Sequence, residues 1–150
     1  MCGIAGTLYR SGRAADPAVL TAMAERIAHR GPDGFGVQAL GRAGFAHRRL
    51  KIIDLSEAGR QPMSNEDGAV WVTFNGEIYN FQGLREELQA KGHVFRSRTD
   101  TEVIVHIYEQ QGLDGLARLD GMFAFALWDS RNERLVLGRD RTGKKPLYVY

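Results

Sequence analysis

The sequence has a single cysteine, Cys2, among 150 residues. One cysteine excludes an internal disulfide and any thiolate-rich metal site. Long apolar runs are also missing, and nothing approaches the ~20 residues that span a bilayer. Polar and charged residues interrupt the N-terminus by Arg10, so a secretory signal peptide is not expected and a cytoplasmic protein is. Charge of one sign is scarce. The formal net charge of +2 gives no reason to expect nucleic acid or an acidic membrane surface as a partner. Basic residues do cluster, at Arg48, Arg49 and Lys51 and again at Arg139, Arg141, Lys144 and Lys145; the second cluster reads as a solvated face. The 4 histidines, His29, His47, His93 and His106, show no metal-ligand spacing, so no metal is expected. The sequence also has no internal repeat, low-complexity tract or linker. What remains, 43% hydrophobic and 25% charged, is ordinary for one globular domain with a real core.

Residues 4–9 read as a strand. Asp16 followed by Pro17 is an N-cap with proline at the first helical position, and Val19, Leu20, Met23 and Ile27 recur at helical spacing, so a helix is predicted over 16–29. The turn formers from Arg30 to Gly34 end it. Strands are predicted at 35–40 and 44–47 around Gly41, then a long loop over 55–67. Residues 70–74 are β-branched and aromatic and predict a strand, which Asn75-Gly76 should turn or bulge. Asn80 can cap a helix with Phe81, Leu84 and Leu88 on one face, stopped at Gly92. A short strand is expected at 94–96, then a helix capped by Thr99 or Asp100 and ended by Gly112. Residues 122–129 and 135–138 read as a hairpin, and 147–150 begin a further strand for which no partner follows, so the chain is expected to be incomplete at its C-terminal end. Strands in antiparallel-looking pairs, with helices in separate stretches, argue for an α+β fold.

The chemistry starts at Cys2. Removal of Met1 would leave a free α-amino group on the residue that carries the thiol. Such an amine has a pKa of ~7.7–8.0 and a thiol one of ~8.5. A useful fraction of the amine is therefore neutral near neutral pH and can act as base for its own thiol. An attacking thiolate needs oxyanion donors. The Asn75 amide and the Gly76 N–H are of the right kind, although Asn-Gly is equally a hairpin signal. Arg49 suits a carboxylate through its bidentate fork, and Asp100 or Glu77 suits an ammonium. Asp100 is read equally well as an N-cap.

Several strings, in order, carry a family resemblance: Met1-Cys2-Gly3-Ile4-Ala5-Gly6, Arg30-Gly31-Pro32-Asp33 and Ala46-His47-Arg48-Arg49-Leu50-Lys51-Ile52-Ile53-Asp54. They continue through Gln61-Pro62-Met63, Phe74-Asn75-Gly76-Glu77-Ile78-Tyr79-Asn80 and Thr99-Asp100-Thr101-Glu102-Val103-Ile104. The last are Gly121-Met122-Phe123-Ala124-Phe125-Ala126-Leu127-Trp128-Asp129 and Gly138-Arg139-Asp140-Arg141. Together they resemble the N-terminal glutaminase domain of glutamine-hydrolysing asparagine synthetases, over essentially the whole chain.

The resemblance implies a class II glutamine amidotransferase with an N-terminal-nucleophile fold, a four-layer α/β/β/α sandwich of mostly antiparallel sheets. It implies Cys2 as nucleophile and Asn75 with Gly76 as oxyanion hole. It further implies Arg49 on the α-carboxylate of L-glutamine, Glu77 and Asp100 around its amino group, and Leu50, Lys51, Ile52 and Ile53 along the pocket. No cofactor is implied for this chain. ATP and Mg belong to a synthetase domain, expected as the partner in a longer protein, whose Ser-Gly-Gly-containing loop has no counterpart here. A homodimer is compatible with the resemblance. Two other readings stay open: a non-catalytic interaction or regulatory module, and an amidotransferase whose acceptor is not aspartate.

Overall fold

A computed structural model describes residues 2–150. Among the described residues, seven strands form two antiparallel sheets. The first holds β1 (Gly3–Leu8), β2 (Gly34–Leu40) and β3 (Ala43–Arg49), with β3 central. The second runs β4 (Met63–Ser64), β5 (Val70–Ile78), β6 (Gly121–Asp129), β7 (Arg134–Arg139) in that order. Helix α1 (Pro17–Arg26) covers the first sheet; α2 (Phe81–Ala90) and α3 (Glu102–Leu116) lie on the second. The layers are therefore α/β/β/α, as the resemblance implied. Among the described residues no helix is long and apolar enough to cross a membrane.

Strand alternation builds the layers. Along β5, Val70, Val72, Phe74 and Ile78 face α2 and α3 and join Val103, Ile104 and Ile107 in the largest core cluster. Ala5 and Ala46 pack with Leu20 and Ala24 of α1. Between the sheets, Phe45 of β3 meets Trp128 of β6, with Ala43 beside them. Each large apolar side chain buried this way contributes about 1.5–3 kcal/mol.

Several local expectations shift. The first helix is shorter, capped by the Asp16 carboxylate accepting from Ala18 N–H at 2.8 Å, and gives way to a 3-10 turn at Ala28–Arg30. Asn75-Gly76 does not turn: β5 runs on to Ile78, paired with β6 from Val70↔Asp129 to Ile78↔Gly121. Nine consecutive cross-strand partners override the local hairpin signal. A Cβ on Gly76 would lie 2.2 Å from the Met122 carbonyl oxygen, so glycine is needed here for close approach to β6. Residues 94–96 and 147–150 are not strands. Asn80 is the N-cap residue of α2, as expected, but its side chain makes no capping hydrogen bond; its amide instead ties the start of the helix to Arg118 O and Asp120 N–H. Gly112, at φ 62°, breaks α3 as expected, and a second short helical segment continues to Leu116.

Candidate functional site

Cys2 immediately precedes β1, and the β1–β3 pairing sets it beside the end of β3. Its Sγ lies 3.4 Å from the Leu50 nitrogen, whose N–H donates to it. Burial pushes the thiol pKa up, opposed by the Leu50 hydrogen bond and the Arg49 charge and assisted by Asp100. A half-buried thiol held neutral in this way needs a base before it can attack.

The cavity at Cys2 is also lined by Arg49, Leu50, Gly76, Glu77 and Asp100. It opens on the edge of β5 beyond the short β4, where the even-numbered residues of β5 direct their N–H groups away from β6. Phe74 N–H is taken by Gln61 Oε1 at 2.7 Å, and Ile78 N–H by Asp100 Oδ2 at 2.8 Å. Gly76 stands between them on the same edge, and alternation turns its N–H toward the cavity it lines. Asn75 is buried between two lining residues, but it does not itself line the cavity.

The acids of this cavity are strained electrostatically. Burial pushes the Asp100 carboxyl up to about 6, and neighbouring Glu77 pushes in the same direction. Glu77 is raised by burial and pulled back by Lys145. Two desolvated carboxylates side by side suit a cation. Asp100 does not cap α3. The N-cap residue is Thr101, and the Asp100 side chain reaches back to β5 instead.

Arg49 lines the cavity, but its guanidinium is engaged. It donates to the carbonyl of Ser56 at 2.8 Å and to that of Asp54. The loop it holds is fixed again by Asp54, whose carboxylate accepts from the Ser56 hydroxyl and the Arg98 N–H and is drawn down to about 2. Gly59 passes so close to the guanidinium that a Cβ there would lie 2.1 Å from Nη2.

Leu50, Ile52 and Ile53 line the cavity, with Ile52 and Ile53 also exposed on its outer side. Lys51 does not line it. Its N–H donates to Asp33 at 3.0 Å and its ammonium pairs with Glu57 at 3.2 Å, which directs it into a neighbouring groove with His47. Alternation past the end of β3 sends the Leu50 and Lys51 side chains to opposite sides. The cavity at Cys2 is open to solvent on one side and has a volume of about 50 Å³.

Residues that the motif reading left without a role complete the wall: Asp54, Gln61, Thr99 and Thr101. Gln61 bridges β5 to α3, since its Nε2 donates to Thr101 Oγ1 at 3.2 Å. A Gln-Pro-Met string gives no hint of this, because the bridge spans distant segments. His47 is fully buried and donates through Nε2 to Phe74 O at 3.2 Å, while burial lowers its pKa to about 4.

Comparison with known proteins shows the family and the fold. The family model described as glutamine amidotransferase domain matches residues 1–150. The glutamine-hydrolysing asparagine synthetase 2 of Bacillus subtilis (strain 168) is 42% identical over 99% of this chain, which covers 20% of that protein. The corresponding enzyme of Sandersonia aurantiaca is 45% identical over 99% of this chain and 28% of its own length. The chain thus spans about a quarter of the length of these relatives. Among solved structures, the glutamine phosphoribosylpyrophosphate amidotransferase of B. subtilis superposes with a TM-score of 0.74 at 20% identity, covering 95% of this chain and 38% of that one. That likeness is one of fold.

Proposed function

The chain belongs to the glutamine amidotransferase domain family, which matches its whole length, and from that premise we propose that Cys2 hydrolyses the side-chain amide of L-glutamine to glutamate and ammonia. The observation that carries this is the shared cavity, where the Cys2 thiol, the open edge of β5 at Gly76 and the paired acids Glu77 and Asp100 meet.

Each step follows from a group in that wall. The substrate ammonium sits between Asp100 and Glu77, whose raised pKa values fall once a cation neutralises them. Its α-carboxylate takes the Arg49 fork in exchange for the loop carbonyls. The α-amino group of Cys2, free after removal of Met1, takes the thiol proton, and Sγ attacks the amide carbon. Met1 itself lies outside the described residues. The developing oxyanion accepts from Gly76 N–H and from the Asn75 amide, which turns toward the cavity. The α-ammonium returns its proton to the departing nitrogen and ammonia leaves. Water, deprotonated by the same amine, then cleaves the thioester to glutamate and regenerates the thiol.

In a longer protein the ammonia would pass to a synthetase domain, where ATP and Mg²⁺ activate a carboxylate acceptor. Aspartate is the acceptor that the names of the relatives suggest. A cytoplasmic setting fits the single reduced cysteine this chemistry requires. Mass spectrometry tests the proposal. The intact protein should lack Met1, and a diazo ketone analogue of glutamine should add once, at Cys2. A retained Met1 with an unlabelled Cys2 would favour a non-catalytic, regulatory module.

A further inference from the structure

Away from the Cys2 cavity, three segments distant in sequence bring four ligand-bearing side chains together. Glu66 comes from the turn between β4 and β5, His93 from the stretch after α2, and His106 and Glu109 from adjacent turns of α3. We propose that they form a site for one divalent cation of the zinc type. One ligand atom from each lies within 4.8 Å of the others. His106 Nδ1 is 3.4 Å from Glu66 Oε2, and His93 Nδ1 is 3.8 Å from Glu66 Oε1 and 3.9 Å from Glu109 Oε2. Donors around a tetrahedral zinc, at bond lengths of ~2.0–2.2 Å, stand ~3.3–3.5 Å apart. The His106–Glu66 pair already stands at this spacing, and the widest pair, up to 4.8 Å apart, must close by about an ångström around the ion.

Two independent features aim these atoms at a cation. His106 is 1% exposed, yet neither of its ring nitrogens has a hydrogen-bond partner. A buried ring left so is unusual in a folded protein and is satisfied by a metal on Nδ1. The outer partners also hold the ligands in position. His93 Nε2–H donates to Gln110 Oε1 at 3.0 Å, which leaves the Nδ1 lone pair facing the carboxylates. Asn65 holds Glu109 Oε1 at 3.0 Å, turning Oε2 inward, and the Val94 N–H holds Glu66 Oε1 at 2.8 Å. Behind His106, Glu102 Oε1 lies 3.7 Å from Nε2, beyond hydrogen-bond reach but near enough for its charge to face the ring.

Imidazole and carboxylate donors in equal number suit zinc, cobalt or manganese better than calcium or magnesium. Four protein ligands make a closed, structural site rather than a catalytic one. An adjoining groove lined by Glu66, His93, Val94 and Glu109 gives the ion a way in. None of the four ligands lines the Cys2 cavity. A bound ion would fasten the turn before β5 and the end of α2 to α3, and its binding energy would add to folding stability.

The test is calorimetric titration of zinc chloride into chelator-treated protein, with thermal unfolding followed in parallel. Cys2→Ala is included because an N-terminal thiol is itself a zinc ligand. We expect one zinc per chain and a raised Tm in both wild type and Cys2→Ala. Affinity should fall by about ten-fold or more in His93→Ala and in Glu109→Gln, two changes at the rim of the site. Cobalt(II) should give the strong visible absorption of a tetrahedral complex in wild type and lose it in His93→Ala. Zinc binding that vanishes in Cys2→Ala but survives in His93→Ala would overturn the site. So would a Tm indifferent to zinc in every variant.

Discussion

Asp100 Oδ2 accepts a hydrogen bond from Ile78 N–H at 2.8 Å, tying the start of α3 to the end of β5 across the mouth of the cavity. The bond fixes the carboxylate where burial disfavours its charge, and its pKa rises to about 6. A raised carboxyl pKa gives stability that is full below the unfolded value near ~3.9 and is lost as pH rises through about 6. At neutral pH the ionised Asp100 therefore opposes folding.

Asp100→Asn should for that reason stabilise the protein, by on the order of 3 kcal/mol at pH 7. The amide oxygen can still accept from Ile78, while the charge is gone. Glutamine binding should weaken sharply, because one of the paired acids is lost. Thermal unfolding and glutaminase kinetics on the same variant check both halves; a lowered Tm with unchanged KM would contradict the assignment.

The same pKa sets a pH dependence. KM for glutamine should climb as pH falls below about 6, where the free enzyme's Asp100 takes up a proton, while kcat at saturating glutamine changes less. A flat KM between pH values well above and below that point would remove Asp100 from substrate binding.

Arg49→Lys keeps the charge and loses the fork. Loss of one charge-assisted hydrogen bond, ~1.5–3 kcal/mol, should raise KM for glutamine about ten-fold or more. The hold on the Ser56 and Asp54 carbonyls also loosens, so residues 54–56 should exchange amide protons faster. An unaltered KM would mean that Arg49 serves only the loop.

Acid should destabilise the fold through His47. Its folded pKa of about 4 lies below the ordinary ~6.5, so the unfolded chain binds the extra proton first. The stability contributed by the neutral ring is full above ~6.5 and lost as pH falls through about 4. The loss should reach on the order of 3 kcal/mol over that window, read from urea unfolding at stepped pH, and should shrink in His47→Gln.

How far these features could be read from the sequence follows from how local their causes are. The α+β class, α1 with its Asp16-Pro17 start, and the β6–β7 hairpin follow from nearby residues, while the two-sheet layering came with the family resemblance. The motif strings also brought out Cys2, Gly76, Glu77 and Asp100, which do share one cavity. The continuation of β5 through Asn75-Gly76 could not be read, because β6, more than forty residues on, imposes it against the local turn preference. The resemblance set Lys51 along the pocket with Ile52 and Ile53, yet alternation places it in the next groove. His93 and His106 show no ligand spacing as a string; only the approach of α2 to α3 makes them neighbours.

The central claim is that the α-amino group of Cys2 is the base for its own thiol. The most direct measurement is the rate of glutamate release from glutamine by protein with Met1 removed, set against protein in which Met1 or an N-terminal tag is retained. Retention turns the amine into an amide without a basic lone pair, so the account predicts that release falls to the level of Cys2→Ala, nucleophile and base acting as one unit. Hydrolysis at the normal rate by the Met1-retaining protein would contradict it.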